Sequence, residues 1–326
     1  MTRSRVAVLA GALSIAFALS SACHTPPAEP AASESSESAP TATYVGQEVC
    51  LSCHETITPG LTAKYNHTVH SRVLSETHSE LAARGCEACH GPGSAHVEAG
   101  GGKGVGNMVR FDLDSPEAVA RINGTCLQCH NGGDRSYWHG GAHESADISC
   151  TSCHVVMENV SHDNLLAKRT EVETCATCHH IQYSRVYSNA HMPLRPGAFE
   201  SSTASEGKMS CSSCHQPHGT VTESLIRNIS TNDQCLTCHA EKRGPFLWEH
   251  SPVPEDCLNC HDPHGSNRRA MLKMQVPRLC QTCHVSTGHA TSPRNPTDRF
   301  AVGTACLQCH TQVHGSNHPS GFALTR

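Results

Sequence analysis

Apolar positions are spread unevenly along this chain of 326 residues. The single unbroken apolar run, Val6 to Leu19, follows Arg3 and Arg5 and leads into Ser20-Ser21-Ala22. Its 14 residues fall short of the ~20 that span a bilayer as a helix. A basic start, a short apolar centre and a small-residue end predict an export signal over 1–22. From His24 to Thr43 the chain is Pro, Ala, Ser and Glu without an apolar period, so 23–43 reads as a disordered tether. No later segment is apolar for long enough to cross a membrane as a helix. Over 44–326 apolar residues come in short clusters, with helical spacing at Glu117 to Ile122 and Glu76 to Arg84. The body is expected to be mostly α and irregular, with short helices and loops and little or no sheet.

Composition sharpens this picture. Aromatic residues are only 4% of the chain and charged residues 16%, too few large apolar side chains for an ordinary core of this length. Something other than side chains must supply apolar bulk. No basic stripe interleaves with aromatics, so nucleic-acid binding has no support. The run Gly100-Gly101-Gly102-Lys103-Gly104 has no Ser or Thr after its lysine and is a surface loop, not a phosphate cradle.

Cysteine identifies the missing bulk. Of 21 cysteines, 20 form ten Cys-x-x-Cys pairs, each followed at once by His. The pairs are Cys50/Cys53, Cys86/Cys89, Cys126/Cys129, Cys150/Cys153 and Cys175/Cys178, then Cys211/Cys214, Cys235/Cys238, Cys257/Cys260, Cys280/Cys283 and Cys306/Cys309. Their histidines are His54, His90, His130, His154, His179, His215, His239, His261, His284 and His310. Zinc sites and disulfides also use paired cysteines, but neither requires the adjacent His. C-x-x-C-H is the attachment motif of c-type haem: two thiols bond the porphyrin and the His ligates its iron. Ten covalently bound haems c are expected, on modules of 22 to 40 residues, with the chain wrapped around a linear stack.

A relay needs both axial positions of each iron closed, whereas an enzyme needs one open. Setting aside the motif histidines and His24 leaves fifteen of the 26. His218 and His264 lie in His-x-Pro-His-Gly, three residues past a motif His, and His314 lies in the related Val313-His314-Gly315. His96 follows the second motif, and His143 and His250 each stand seven residues before a motif Cys. His70, His191 and His289 complete the expected second ligands. His67, His78, His139, His180 and His318 read as bystanders.

The third to fifth motifs overlay the seventh to ninth, matching Trp138 with Trp248 and His143 with His250. In that overlay His154 aligns with His261, and Met157 stands where His264 should have its counterpart. Either Met157 or His162, five residues further on, is therefore expected to close the fourth haem, and an open iron is the third option. The odd cysteine, Cys23, ends Ser20-Ser21-Ala22-Cys23, which resembles a bacterial lipobox. Lipidation there would anchor the chain; simple cleavage after Ala22 would leave a free thiol.

Several stretches go beyond motif counting. They are Cys86-Glu87-Ala88-Cys89-His90-Gly91-Pro92, Ala240 to His250 and the ending Val313 to Gly321. In these the chain resembles the MtrA/DmsE-type decahaem cytochromes of outer-membrane porin–cytochrome conduits, over about residues 44–322. The resemblance implies an elongated, bis-His-ligated electron wire held in a β-barrel porin, in the periplasm at the outer membrane. It also implies a periplasmic or inner-membrane donor and an outer-surface cytochrome or terminal reductase as acceptor. A tethered periplasmic shuttle without a porin is the alternative, and a multihaem reductase a more distant one, since no motif replaces its His with Lys.

Overall fold

The computed structural model describes residues 41–186, 188, 191, 209–284, 306–319 and 321–325. The export signal, the tether up to residue 40, Cys23 and His289 lie outside the described residues. Among those described, the chain forms fourteen short α-helices and eight 3-10 turns with no strand, as the dispersed apolar pattern predicts. The longest helix, Pro116–Leu127, has 12 residues and contains the expected Glu117 to Ile122 run. Ser115 caps it by accepting from the Ala118 N–H, and Pro116 opens it. Val119 and Ile122 are its buried apolar face.

The other expected helix differs. Glu76 to Arg84 is not helical throughout: a helix Val69–Glu76 ends where the run was to begin, and only Ala82–Arg84 makes a 3-10 turn. The reason is capping. Thr68 accepts from Ser71 N–H and starts the helix seven residues earlier, and Gly85 at φ 54° closes the 3-10 turn.

Side chains provide little core. Buried apolar residues among those described are scattered, from Ala82 and Ile122 to Leu279 and Leu324, while Ile57, Val221 and Ile229 stand exposed. Backbone hydrogen bonds instead build a repeated hairpin after the fourth, sixth and eighth motifs. Val155 N donates to Leu165 O at 2.7 Å and Ala167 N to Cys153 O at 2.7 Å. Gln216 and Arg227 repeat this with Leu225 O and Cys214 O, and Asp262 and Lys273 with Met271 O and Cys260 O. Each hairpin carries an antiparallel bridge: His154 to Leu166, His215 to Ile226 and His261 to Leu272. The first loop is one residue longer than the other two.

A polar side chain clamps each of the first four odd motifs, or the second motif itself, to its neighbour. Asn123 accepts from Cys150 N at 2.8 Å and donates to Ile148 O. Asn232 does the same with Cys257 N at 2.7 Å and with Val253 O. Glu171 accepts from Ser212 N and from the Ser210 and Ser212 hydroxyls. In the first pair Glu87, only 2% exposed, accepts from the backbone N–H groups of Val45, Gly46 and Gly93. Three aimed donors offset the desolvation of that carboxylate.

Candidate functional site

The cysteines lie in file. The first cysteines of paired motifs come within hydrogen-bonding reach: Cys50 with Cys86, Cys126 with Cys150, Cys175 with Cys211, Cys235 with Cys257, and Cys280 with Cys306. Across the intervening junctions the second cysteines are neighbours: Cys89 with Cys129, Cys153 with Cys178, Cys214 with Cys238, and Cys260 with Cys283. The two kinds of proximity alternate, so the ten motifs follow one another in sequence order. Burial pushes most of these thiols up, Cys235 to about 12; the hydrogen bonds to Cys150 and Cys211 do most to raise Cys126 and Cys175.

The two cysteines of a motif are not equally enclosed. The first is half-buried in every motif, whereas Cys53, Cys129, Cys153, Cys178, Cys238, Cys283 and Cys309 are exposed. At these seven motifs protein atoms cover one thiol of the pair and leave the other open. The cause is local. Cys309 ends the one-turn helix Cys306–Cys309, and Cys53 and Cys153 likewise stand about one turn past their first cysteine, beyond the contact that covers it. That open side is the one a porphyrin would cover.

Eight motif histidines each face one other imidazole. The pairs are His54 with His96, His130 with His70, His154 with His218, His179 with His143, His215 with His264, His239 with His191, His261 with His314, and His284 with His250. Ring centroids are 5.9 to 6.4 Å apart, too far for direct stacking. Two metal–imidazole bonds of about 2.0–2.1 Å each account for about 4 Å of that span, and the distances from nitrogen to ring centre for the rest. An iron fits between each pair.

Hydrogen bonds fix the tautomer this requires. His90, His154, His215, His261 and His310 donate Nδ1–H to the carbonyls of Val109, Asn164, Ser224, Ala270 and Ala323. Nε2 is left with its lone pair for a metal. Burial also holds the imidazoles of His70, His90, His130, His218, His264 and His314 below the ordinary histidine range, which favours the neutral, ligating form. Buried nitrogens on Arg135, Trp138 and Trp248 lack a partner, as donors waiting for the carboxylates of a cofactor would.

Of the nine second ligands expected besides the Met157/His162 choice, the structure brings eight opposite a motif His: His70, His96, His143, His191, His218, His250, His264 and His314. The ninth, His289, is outside the described residues. The expectation for His154 is corrected. Its ring faces His218 at 6.1 Å and 16°, and neither His162 nor Met157 stands there. The His-x-Pro-His segment turns away from its own motif and reaches the even motif two places earlier, and His162 is exposed. The bystanders behave differently: His139 pairs with Glu144 at 2.7 Å, and His67, His78 and His180 are exposed.

The second motif differs from those eight. His90 meets no imidazole among the described residues; its ring neighbour is the edge of Phe111 at 5.2 Å. Close by, the Tyr65 phenol is pushed up to about 12, chiefly by burial and then by the thiols of Cys89 and Cys86. Sequence reasoning missed the clamps Glu87, Asn123, Glu171 and Asn232. The signal for two of them was the shared spacing, Asn three residues before Cys126 and before Cys235.

Three family models match the chain. "Doubled CXXCH motif" covers residues 203–244 and 250–289, "Cytochrome c-type protein NrfB-like" 86–182, and "Cytochrome c554 and c-prime" 17–91. Multiheme cytochrome MtrA of Shewanella baltica (strain OS185) is 41% identical over 290 residues, spanning 86% of this chain and 81% of that protein. With covalent haem c as cofactor and electron transfer as its work, the chain belongs to the MtrA-type multihaem c-type cytochromes.

Proposed function

We propose that the chain carries ten haems in single file and passes electrons along them through the outer membrane, seated in a β-barrel porin. The observation that carries this reading is the unbroken order of motif contacts, Cys50 with Cys86 at one end and Cys280 with Cys306 at the other. Thiols this near one another would bring neighbouring macrocycles together along the series, which supports the reading. The facing imidazoles at eight motifs would hold their irons six-coordinate in both oxidation states, so little would rearrange when charge moves. When bound, each haem supplies a one-electron ferric/ferrous couple. A file of ten macrocycles can exceed the ~40–45 Å of a bilayer with its headgroups.

On this reading the donor is a periplasmic or inner-membrane protein, and the acceptor an outer-surface cytochrome or terminal reductase. Cys23, lipidated, tethers the chain at the membrane until the barrel takes it up. The test has two parts. Intact mass of the mature protein is expected to show ten porphyrin increments and a diacylglycerol at Cys23. A reduced dye enclosed in vesicles is expected to be reoxidised by an impermeant external oxidant only when the cytochrome and its barrel are both present. Fewer than ten increments refutes the haem count. Ten increments with no conduction through the barrel leaves a tethered shuttle in its place.

A further inference from the structure

Among the described residues no imidazole faces His90, and we propose that Met157, through its thioether, is the sixth ligand of the haem at Cys86, Cys89 and His90. The proposal rests on the ligand reading above and follows from a rule that the other even motifs obey. His154 takes its partner from the segment after the sixth motif, His215 from that after the eighth, and His261 from that after the tenth. In the sixth and eighth the partner stands three residues past the motif His. The rule sends the second motif to the segment after the fourth, and three residues past His154 is Met157.

Three other junctions share a brace. His143 donates Nδ1–H to Pro217 O at 2.7 Å, the carbonyl just before His218. His191 does so to Pro263 O before His264, and His250 to Val313 O before His314. Each odd-motif partner thus braces the partner of the preceding even motif. For the third motif that odd partner is His70, whose carbonyl by the same rule is Val156 O, just before Met157. The His70 Nδ1 is buried and makes no such bond, so the brace is missing at the one junction where methionine stands in place of histidine.

The chain leading to His70 also packs where the rule requires. Gly219, Gly265 and Gly315, each just after an even-motif partner, lie against Tyr137, Arg185 and Phe246 on the way to the odd-motif partners. After Met157 comes Glu158, paired with Lys64 at 2.5 Å, and Asn159 donates to His67 O at 2.9 Å. The close glycine contact is replaced by an ion pair, and the segment is the same.

Near-infrared magnetic circular dichroism of the oxidised holoprotein tests this, because thioether-ligated and bis-imidazole ferric haems have separate charge-transfer bands. The expected result is one haem's worth of thioether band and one redox step above the rest. Met157→His, which restores the rule, is expected to abolish the band and lower that step while all irons stay low-spin. His218→Ala is expected to leave the thioether band intact and add one high-spin haem, the fourth. No thioether band in the wild type, with the other irons bis-imidazole, overturns the assignment and leaves the ligand reading standing. His218→Ala without a high-spin haem overturns it too, since Met157 would then serve His154. High-spin signals from several irons in the wild type would instead refute the ligand reading itself.

Discussion

Glu87→Ala should loosen the first motif from the second without touching a ligand. The wild-type carboxylate accepts from Val45 N at 3.0 Å and from Gly46 N and Gly93 N at 2.8 Å each. Gly46 is the residue before the helix Gln47–Ile57 that carries Cys50 and Cys53. Hydrogen bonds to a charged group are worth about 1.5–3 kcal/mol each, and a buried donor left unpaired costs about 1–3 kcal/mol. Val45 and Gly46 are half-buried and regain water, whereas Gly93 is buried and does not. At the lower bounds the local loss therefore comes to about 4 kcal/mol, at which amide exchange accelerates by about three orders of magnitude. Hydrogen exchange read by mass spectrometry on the segment 43–47, and at Gly93, is the assay. Glu87→Gln, which keeps one acceptor oxygen, should fall between wild type and Ala. If exchange of Val45 and Gly46 changes by less than about threefold in Glu87→Ala, the carboxylate is not what holds this segment.

Gly265→Ala should disturb two haems at once. Gly265 has φ 131° with the Arg185 carbonyl against it, and the adjoining Pro263 O and His264 serve His191 and His215; resonance Raman should show loss of low-spin character at both sites, and an effect on one alone refutes the link. Arg185→Ala removes only a partly exposed ion pair with Asp262 at 2.6 Å and should cost no more than about 1 kcal/mol in thermal unfolding. Thr170→Ala removes the capping box of Glu171–Ala176 and should lower local protection by about 1 kcal/mol, read by exchange at Glu173. Five imidazole pairs are near parallel, at 11 to 21°, and three are steeply crossed, at 56 to 75°. Electron paramagnetic resonance of the oxidised protein should resolve two low-spin classes, and a single uniform class would refute those ring orientations.

The haem sites were legible in the sequence because attachment is local: two thiols and a His within five residues have one common use. The second ligands were legible as residues but not as partners. His218 stands three residues from His215, yet its ring faces His154, since the Pro217-His218-Gly219 turn carries it off its own motif. That displacement turned Met157 into a puzzle about the fourth haem, where the overlay had placed it. Clamps such as Asn123 were hidden for another reason, because an Asn near a helix end is ordinary until the facing Cys150 N is seen. The unequal enclosure of Cys306 and Cys309 was hidden too, since the motif treats its two cysteines alike. Helix boundaries followed caps rather than apolar spacing, as Thr68 and Gly85 show.

The placement of partners along the chain also sets an order of completion. His70, His143, His191 and His250 all precede the odd motifs they face, so those sites have both imidazoles as soon as their own motif is made. His218, His264 and His314 follow the even motifs they face by two motifs. An even site waits, half-made, while the next stretch of chain arrives. A chain stopped short of residue 306 would spare the ninth motif and injure the eighth, although the eighth lies further from the break. Odd sites thus close with their own motif and even sites two motifs later, so the next site is always begun before the even one behind it is closed.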